Sequence, residues 1–130
     1  MQVIKNILVL IDTNVLVTSV QWKIDVFSEI EKACDFAYQL AVLQGTLTEL
    51  KKIQTEQRGR FRDAAKLALL LLKNKKVPVL QEQGYVDDLL AKHSRQGDVI
   101  FTQDRELKKR LVKPYLTLRQ KKYVVLQRYK

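Results

Sequence analysis

The chain has 130 residues, a length that suits one domain with a single core, so we expect residues 1–130 to form one unit. Apolar residues make up 46%, while glycine (4) and proline (2) are scarce, which argues against a disordered chain and against an all-β chain rich in tight turns. Its apolar runs are too short for a bilayer span or a secretory signal, and its single cysteine excludes an internal disulfide, so we expect a soluble cytoplasmic protein without a membrane partner.

The formal net charge of +10 is concentrated near the carboxyl-terminal end of the chain. Between Arg105 and Lys130 there are ten Lys and Arg residues and one acidic residue, whereas the first 104 residues carry fourteen basic and thirteen acidic residues. This asymmetry indicates a polyanionic partner or an anionic membrane surface. The plainer alternative is a solvated basic face that binds nothing specific.

Predicted strands and helices follow one another along the chain. Ile7–Ile11 is a continuous aliphatic run, typical of a strand covered on both faces, and Asp12, Thr13 and Asn14 can cap a helix after it. Hydrophobic periodicity then predicts a helix over Asp25–Ala33, an inner strand over Tyr38–Leu43, a helix through Leu47–Ile53, a helix over Phe61–Lys73, an edge strand over Val77–Leu80, a helix over Tyr85–Lys92, an inner strand within Asp98–Asp104, a short basic helix over Arg105–Val112, and closing strands at Tyr115–Leu118 and Tyr123–Leu126. The order predicts an α/β fold with a central, mainly parallel sheet and helices on both faces.

Several acidic residues fall where an α/β sheet places its ligands. Asp12 and Asp104 follow predicted inner strands, and open parallel sheets bind ligands beyond the carboxyl ends of their strands. Glu49 lies within a predicted helix, and Asp87 and Asp88 open another. Taken singly, each acid has an ordinary explanation as a helix cap, a partner of the helix dipole or an exposed surface residue. Taken together, they match the oxygen ligands of Mg²⁺, and without a cation they would repel one another.

Four segments resemble, in order, those of the PIN-domain family of small metal-dependent nucleases that mostly act on RNA: LIDTNVLV, TLTELKKI, VDDLLAKH and DVIFTQDRELKKRL. The resemblance covers nearly the whole chain and implies a three-layer α/β/α sandwich. The segment LTLRQKKYVVL is further similar to archaeal PIN proteins and to their relatives in small-subunit ribosomal RNA processing.

The resemblance also implies roles for individual residues. Metal ligands would be Asp12, Glu49, Asp87 and Asp104, with Asp88 as the alternative to Asp87, and the ions would be one or two Mg²⁺ or Mn²⁺. Polar residues near the site would orient ligands or water: Thr13, Asn14, Asp88 and Thr102. Relatives often have Asn where this chain has Gln103. The implied reaction is hydrolysis by metal-activated water, and His93, expected at the surface, has no part in it.

A basic end would then contact RNA phosphates, which positions a strand without reading its sequence. Candidate contacts are Lys108, Lys109, Arg110, Lys113, Arg119, Lys121 and Lys122, with Arg58, Arg60 and Arg62 as a second group. Candidate base-stacking residues are Tyr115, Tyr123 and Tyr129, of which we expect the first two to pack within the closing strands.

Three functions stay open at this point. The first is a Mg²⁺- or Mn²⁺-dependent endoribonuclease, acting in RNA processing or as a toxin. The second is a non-catalytic RNA-binding PIN-like module of a ribosome-assembly complex. The third is a response-regulator-like signalling domain, which would need a lysine where this chain has Gln103 and Asp104. Expected partners are RNA, a second copy of the chain, and an antitoxin or a ribosome-assembly partner.

Overall fold

A computed structural model describes residues 6–128, which form a six-stranded sheet flanked by helices. The strands are β1 (Ile7–Ile11), β2 (Tyr38–Leu43), β3 (Val79–Leu80), β4 (Val99–Phe101), β5 (Tyr115–Arg119) and β6 (Tyr123–Gln127). The helices are α1 (Thr13–Gln21), α2 (Val26–Ala33), α3 (Gln44–Glu56), α4 (Arg60–Asn74), α5 (Val86–Arg95) and α6 (Arg105–Lys109). The predicted single domain over residues 1–130 extends beyond the described residues at both ends, and Tyr129 lies outside them.

The sheet has the order β3-β2-β1-β4-β5-β6. Pairing is parallel from β3 through β5, and only the last pair, β5 with β6, is antiparallel. β1 and β4 therefore end at the same edge of the sheet, which we call the carboxyl edge. β5 runs parallel to β4, so the turn after Arg119 also lies at this edge.

The central strands bury side chains on both faces, as their continuous apolar runs predict. Val9, Ile11 and Phe101 join a large core beneath α1 to α4, whereas Leu10 and Ile100 point into a smaller one. That second core is completed by residues of α5 and α6, among them Leu89, Leu90 and Leu107. The predicted α/β/α sandwich is confirmed.

Several predicted boundaries shift for local reasons. Of the strand predicted over Val77–Leu80 only its last two residues pair, because Pro78 has no N–H and contributes only its carbonyl, which accepts from Val42 N at 3.0 Å. The strand is at the sheet edge, as expected. The helix predicted over Arg105–Val112 ends at Lys109, because the N–H groups of Arg110 and Leu111 donate to carbonyls only three residues back and the α-helical pattern stops there.

Within residues 6–128, the helices lack the length and apolar character that a bilayer-crossing segment needs.

Candidate metal centre

Asp12 is held at the carboxyl edge by β1 and β4 together. Its backbone N–H donates to Phe101 O at 2.9 Å, which extends the ladder between the two strands by one residue. Its carboxylate accepts from the Thr13 backbone N–H at 2.8 Å and from the Thr102 hydroxyl at 2.7 Å. The residue is only 6% exposed, so both oxygens are fixed within the protein.

The charge of this carboxylate is poorly compensated. Burial raises the pKa of Asp12 from 3.8 to about 6, even though the hydrogen bonds from Thr102 and Thr13 act in the opposite direction. The negative charges of Asp87 and Glu49 contribute to this rise. Since burial and the two neighbouring charges disfavour the ionised form of Asp12, a bound cation would stabilise that form.

Asp104 is tied to Asp12 through Thr102. The Thr102 hydroxyl that donates to Asp12 also accepts from the Asp104 backbone N–H at 3.1 Å. Asp104 caps α6, since its Oδ1 accepts from the N–H groups of Glu106 and Leu107 at 2.8 and 3.1 Å. The cap therefore occupies Oδ1 and leaves the second carboxylate oxygen for a ligand.

A single cleft of about 840 Å³ gathers the predicted acidic residues from four separate segments of the chain. The predicted site residues along its walls are Asp12, Thr13, Asn14, Glu49, Asp87, Asp88 and Asp104. Thr102, the remaining predicted site residue, is not among the residues that line the cleft. It contacts the site through its hydrogen bonds to the Asp12 carboxylate and the Asp104 backbone N–H. The topology thus brings together residues that are up to 92 positions apart in the sequence.

The adjacent acids Asp87 and Asp88 differ in their surroundings. Asp88 accepts from Arg110 Nη2 at 2.8 Å, so its charge is paired on the cleft wall. Asp87 forms no ion pair within residues 6–128 and acts electrostatically on Asp12. This contrast supports Asp87, the residue favoured from the sequence, as the candidate ligand.

The carboxylate oxygens at this site are the type of ligand that a hard divalent cation such as Mg²⁺ prefers. Within residues 6–128, no three His, Cys, Asp or Glu side chains converge closely enough to enclose one ion. A closed cage is not required, because Mg²⁺ keeps several waters and is usually held by one or two carboxylates together with substrate phosphate. Thr13 Oγ1 and Asn14 Oδ1 are buried at this site without a hydrogen-bond partner among the described residues. Both atoms can accept from water around an ion.

Gln103 has a structural role that the sequence did not indicate. Its Oε1 accepts from Leu118 N and from the Thr117 hydroxyl, both at 2.6 Å, while its Nε2 donates to Leu118 O at 3.4 Å. The side chain therefore anchors the segment between β4 and α6, which carries Asp104, to β5.

The predicted RNA-contact residues do not all lie near the cleft. Arg110 lines it, and Lys108 lies beside β5, where its ammonium donates to the Thr117 hydroxyl at 2.8 Å. Burial lowers the pKa of Lys108, and the nearby charges of Arg105 and Arg119 lower it further. Lys113, by contrast, lines a pocket at the opposite edge of the sheet.

The remaining predicted contacts have partners of their own or lie in the turn after β5. Lys109 pairs with Glu106 at 3.2 Å, and Arg119 donates to Gln127 at 2.9 Å. Lys121 and Lys122 are exposed in the turn between β5 and β6, which projects from the carboxyl edge.

The prediction that His93 is a surface residue is wrong. The residue is 8% exposed, and its two ring nitrogens lie 2.8 Å from Asp98 Oδ2 and 2.5 Å from Glu82 Oε1. Asp98 precedes β4, so His93 and Asp98 meet at the edge opposite the cleft, which we call the amino edge. There Asp98 Oδ1 also accepts from Leu8 N at 3.1 Å. No sequence pattern announces the cluster, because Glu82 and Asp98 approach His93 only in the folded chain.

A parallel sheet with an acidic cleft at its carboxyl edge defines the class of this protein. Residues 9–121 match the family model described as a PIN like domain, so the chain belongs to the PIN-like domain family. The resemblance predicted from the sequence is confirmed, and the response-regulator-like alternative is set aside.

Two individual proteins show how far the similarity extends. Over 119 residues the chain is 30% identical to ribonuclease VapC4 of Methanocaldococcus jannaschii, which covers 86% of this chain and 90% of that protein. The fold of this chain is similar to that of the PIN domain endonuclease Utp24, with a TM-score of 0.73 and 23% identity. The match covers 94% of this chain and 92% of the Utp24 chain.

Proposed function

We propose that this chain is a divalent-metal-dependent endoribonuclease that hydrolyses RNA phosphodiester bonds. The observation that carries the proposal is the cleft in which Asp12, Glu49, Asp87 and Asp104 gather without forming an ion pair in the described part of the chain. The similarity to a protein named a ribonuclease supports the reaction class.

The four acids would hold Mg²⁺ or Mn²⁺. Such an ion polarises a phosphoryl oxygen and lowers the pKa of a water molecule. The protein's own contribution is to hold its carboxylates in place before substrate arrives. Thr102 and the Thr13 backbone N–H fix both oxygens of Asp12, and the helix cap fixes one oxygen of Asp104.

Basic residues at the carboxyl edge would position the RNA. Arg110 lies on the cleft wall, and the β5–β6 turn presents Lys121 and Lys122 at the same edge. Contacts of this kind bind phosphates without reading sequence, and their affinity falls steeply with salt. Lys113 has the least support among the predicted contacts, because it lies at the opposite edge.

Cleavage of single-stranded RNA in Mn²⁺ tests the proposal. We expect Asp12→Asn and Asp87→Asn each to lower the rate by about a hundredfold or more, since an ion supplies several kcal/mol of transition-state stabilisation. The matched control is Asp88→Asn, expected within about threefold of wild type because Asp88 already pairs with Arg110. Adding EDTA should abolish wild-type cleavage.

Other outcomes contradict specific parts of the proposal. Equal cleavage in EDTA would contradict metal dependence. RNA binding by the wild type without cleavage would favour the non-catalytic RNA-binding module. Loss of activity in Asp88→Asn but not in Asp87→Asn would exchange their roles.

The setting of the reaction stays a prediction from the sequence. It includes a cytoplasmic location, a homodimer, and either an antitoxin or a ribosome-assembly partner.

A further inference from the structure

A second groove adjoins the acidic cleft and has no part in the proposed chemistry. It has a volume of about 470 Å³, and we call it the aromatic groove because Trp22 and Phe61 line it, together with Arg60 and Leu67. Phe61 and Gln21 line both the cleft and the groove. The two are therefore one continuous surface, with Phe61 at their junction.

The aromatic rings in this groove are poorly covered. Phe61 is 55% exposed and Trp22 is 37% exposed, and neither belongs to the buried core. Neighbouring Leu67, on the same helix as Phe61, is 45% exposed. Contiguous apolar surface of this kind marks a binding site more often than single exposed residues do.

Positive charge surrounds these rings. Arg60 lines the groove, and Lys121 from the β5–β6 turn places its ammonium 5.4 Å from the centroid of the Trp22 ring. Asp63 also lines the groove, but Arg62 Nε lies 3.4 Å from its carboxylate. Exposed aromatic faces beside basic side chains are the combination that proteins use to bind single-stranded nucleic acid.

We propose that the aromatic groove is a subsite for single-stranded RNA. A base near the cleaved bond stacks on Phe61 and Trp22, while Arg60 and Lys121 contact the neighbouring phosphates. Continuity with the acidic cleft and the positive charge favour RNA over a second copy of the chain. The inference rests on the proposed ribonuclease function and adds the place where a base is held. Only a single strand can use this place, because a duplex keeps its base faces stacked inside the helix.

Tryptophan fluorescence reports directly on this groove, since Trp22 is the only tryptophan in the chain. Titrating a labelled oligouridylate into the wild-type protein in EDTA, which prevents cleavage, should quench this fluorescence with the same Kd as the anisotropy of the RNA. The duplex of oligouridylate with oligoadenylate should cause no quenching.

Substitution of Phe61 tests the stacking itself. We expect Phe61→Ala to weaken binding of the single strand roughly five- to hundredfold, the usual range for a stacked base, and Phe61→Tyr to bind like wild type. The matched control is Leu70→Ala, because Leu70 is 47% exposed on the same helix but lines neither the cleft nor the groove. Its affinity should stay within about twofold of wild type.

Two results would overturn the inference. The first is unchanged RNA affinity in Phe61→Ala, and the second is RNA binding by anisotropy without quenching of Trp22. If the affinity is unchanged and the molecular mass of Phe61→Ala differs from wild type, the groove would be assigned to self-association. If the wild type still cleaves RNA in Mn²⁺ in these cases, the ribonuclease proposal stands. If the wild type neither binds nor cleaves RNA, both the ribonuclease proposal and the groove proposal are overturned.

Discussion

The sheet carries acidic residues at both edges, and the two groups differ in how their charges are compensated. At the amino edge, the imidazole of His93 lies between Glu82 and Asp98 within hydrogen-bonding distance of both. Each ring nitrogen therefore faces one carboxylate. Asp98 also accepts from a strand N–H, so this group has partners for its buried oxygens.

At the carboxyl edge, the four candidate metal ligands form no ion pair within residues 6–128, whereas Asp88 pairs with Arg110. Asp12 is buried, and both its burial and the negative charges of Asp87 and Glu49 raise its pKa. None of these three forms an ion pair within residues 6–128. A protein that keeps buried negative charge without compensation loses stability, and such uncompensated clusters are typical of functional sites. The comparison therefore supports the proposal that the amino edge serves stability and the carboxyl edge serves chemistry.

The largest effect that we expect is on stability, at the amino edge. His93→Ala should lower the free energy of unfolding by about 3 kcal/mol, because removing one partner leaves the buried Asp98 facing Glu82. Urea denaturation at neutral pH measures the change. The control is Lys92→Ala on the same helix, where Lys92 is exposed, with an expected change within about 0.5 kcal/mol. A loss below about 1 kcal/mol in His93→Ala would contradict a structural role for this cluster.

A smaller effect of opposite sign is expected at the carboxyl edge. The pKa of Asp12 is about 6 in the folded protein against 3.8 ordinarily. As the pH rises from about 4 to about 6, Asp12 ionises in the unfolded chain while it keeps its proton in the folded protein. The free energy of unfolding of the metal-free protein therefore falls over this range. Above about pH 6 the full penalty, about 2–3 kcal/mol, is present. Asp12→Asn removes the penalty and should raise metal-free stability near pH 7.5 by about 2 kcal/mol, with almost no gain near pH 4.

Urea denaturation in EDTA at the two pH values measures this gain. Asp88→Asn is the control, since Asp88 is exposed and paired, and its stability should stay within about 0.5 kcal/mol of wild type at both pH values. An Asp12→Asn variant no more stable than wild type near pH 7.5 would contradict the electrostatic account of the site.

Much of the fold follows from local sequence patterns. The aliphatic runs Ile7–Ile11 and Tyr38–Leu43 coincide with β1 and β2 at both ends. A strand covered on both faces has a continuous apolar run in place of alternating apolar and polar residues, so the run itself marks the strand. The edge strand and α6 are shorter than predicted. Pro78 has no N–H to pair, and the chain after Lys109 changes to hydrogen bonds between residues three apart, which apolar periodicity does not indicate.

The site was predictable only in part. The positions of Asp12 and Asp104 after buried strands indicate a shared edge, whereas the difference between Asp87 and Asp88 depends on Arg110, a residue distant in sequence. The His93 cluster and the junction of the aromatic groove at Phe61 likewise depend on contacts made only in the folded chain. Charge and periodicity do not report such contacts.

The most direct measurement is thermal unfolding of the RNA-free protein as Mn²⁺ is added. An ion that binds only the folded state at about a hundred times its Kd stabilises it by about 2.7 kcal/mol. We therefore expect the wild-type Tm to rise by several degrees with Mn²⁺, and the His93→Ala Tm to rise equally from a lower start. The Tm of Asp12→Asn should stay constant. A wild-type Tm that does not respond to Mn²⁺, or an equal rise in Asp12→Asn, would contradict a metal centre at the carboxyl edge.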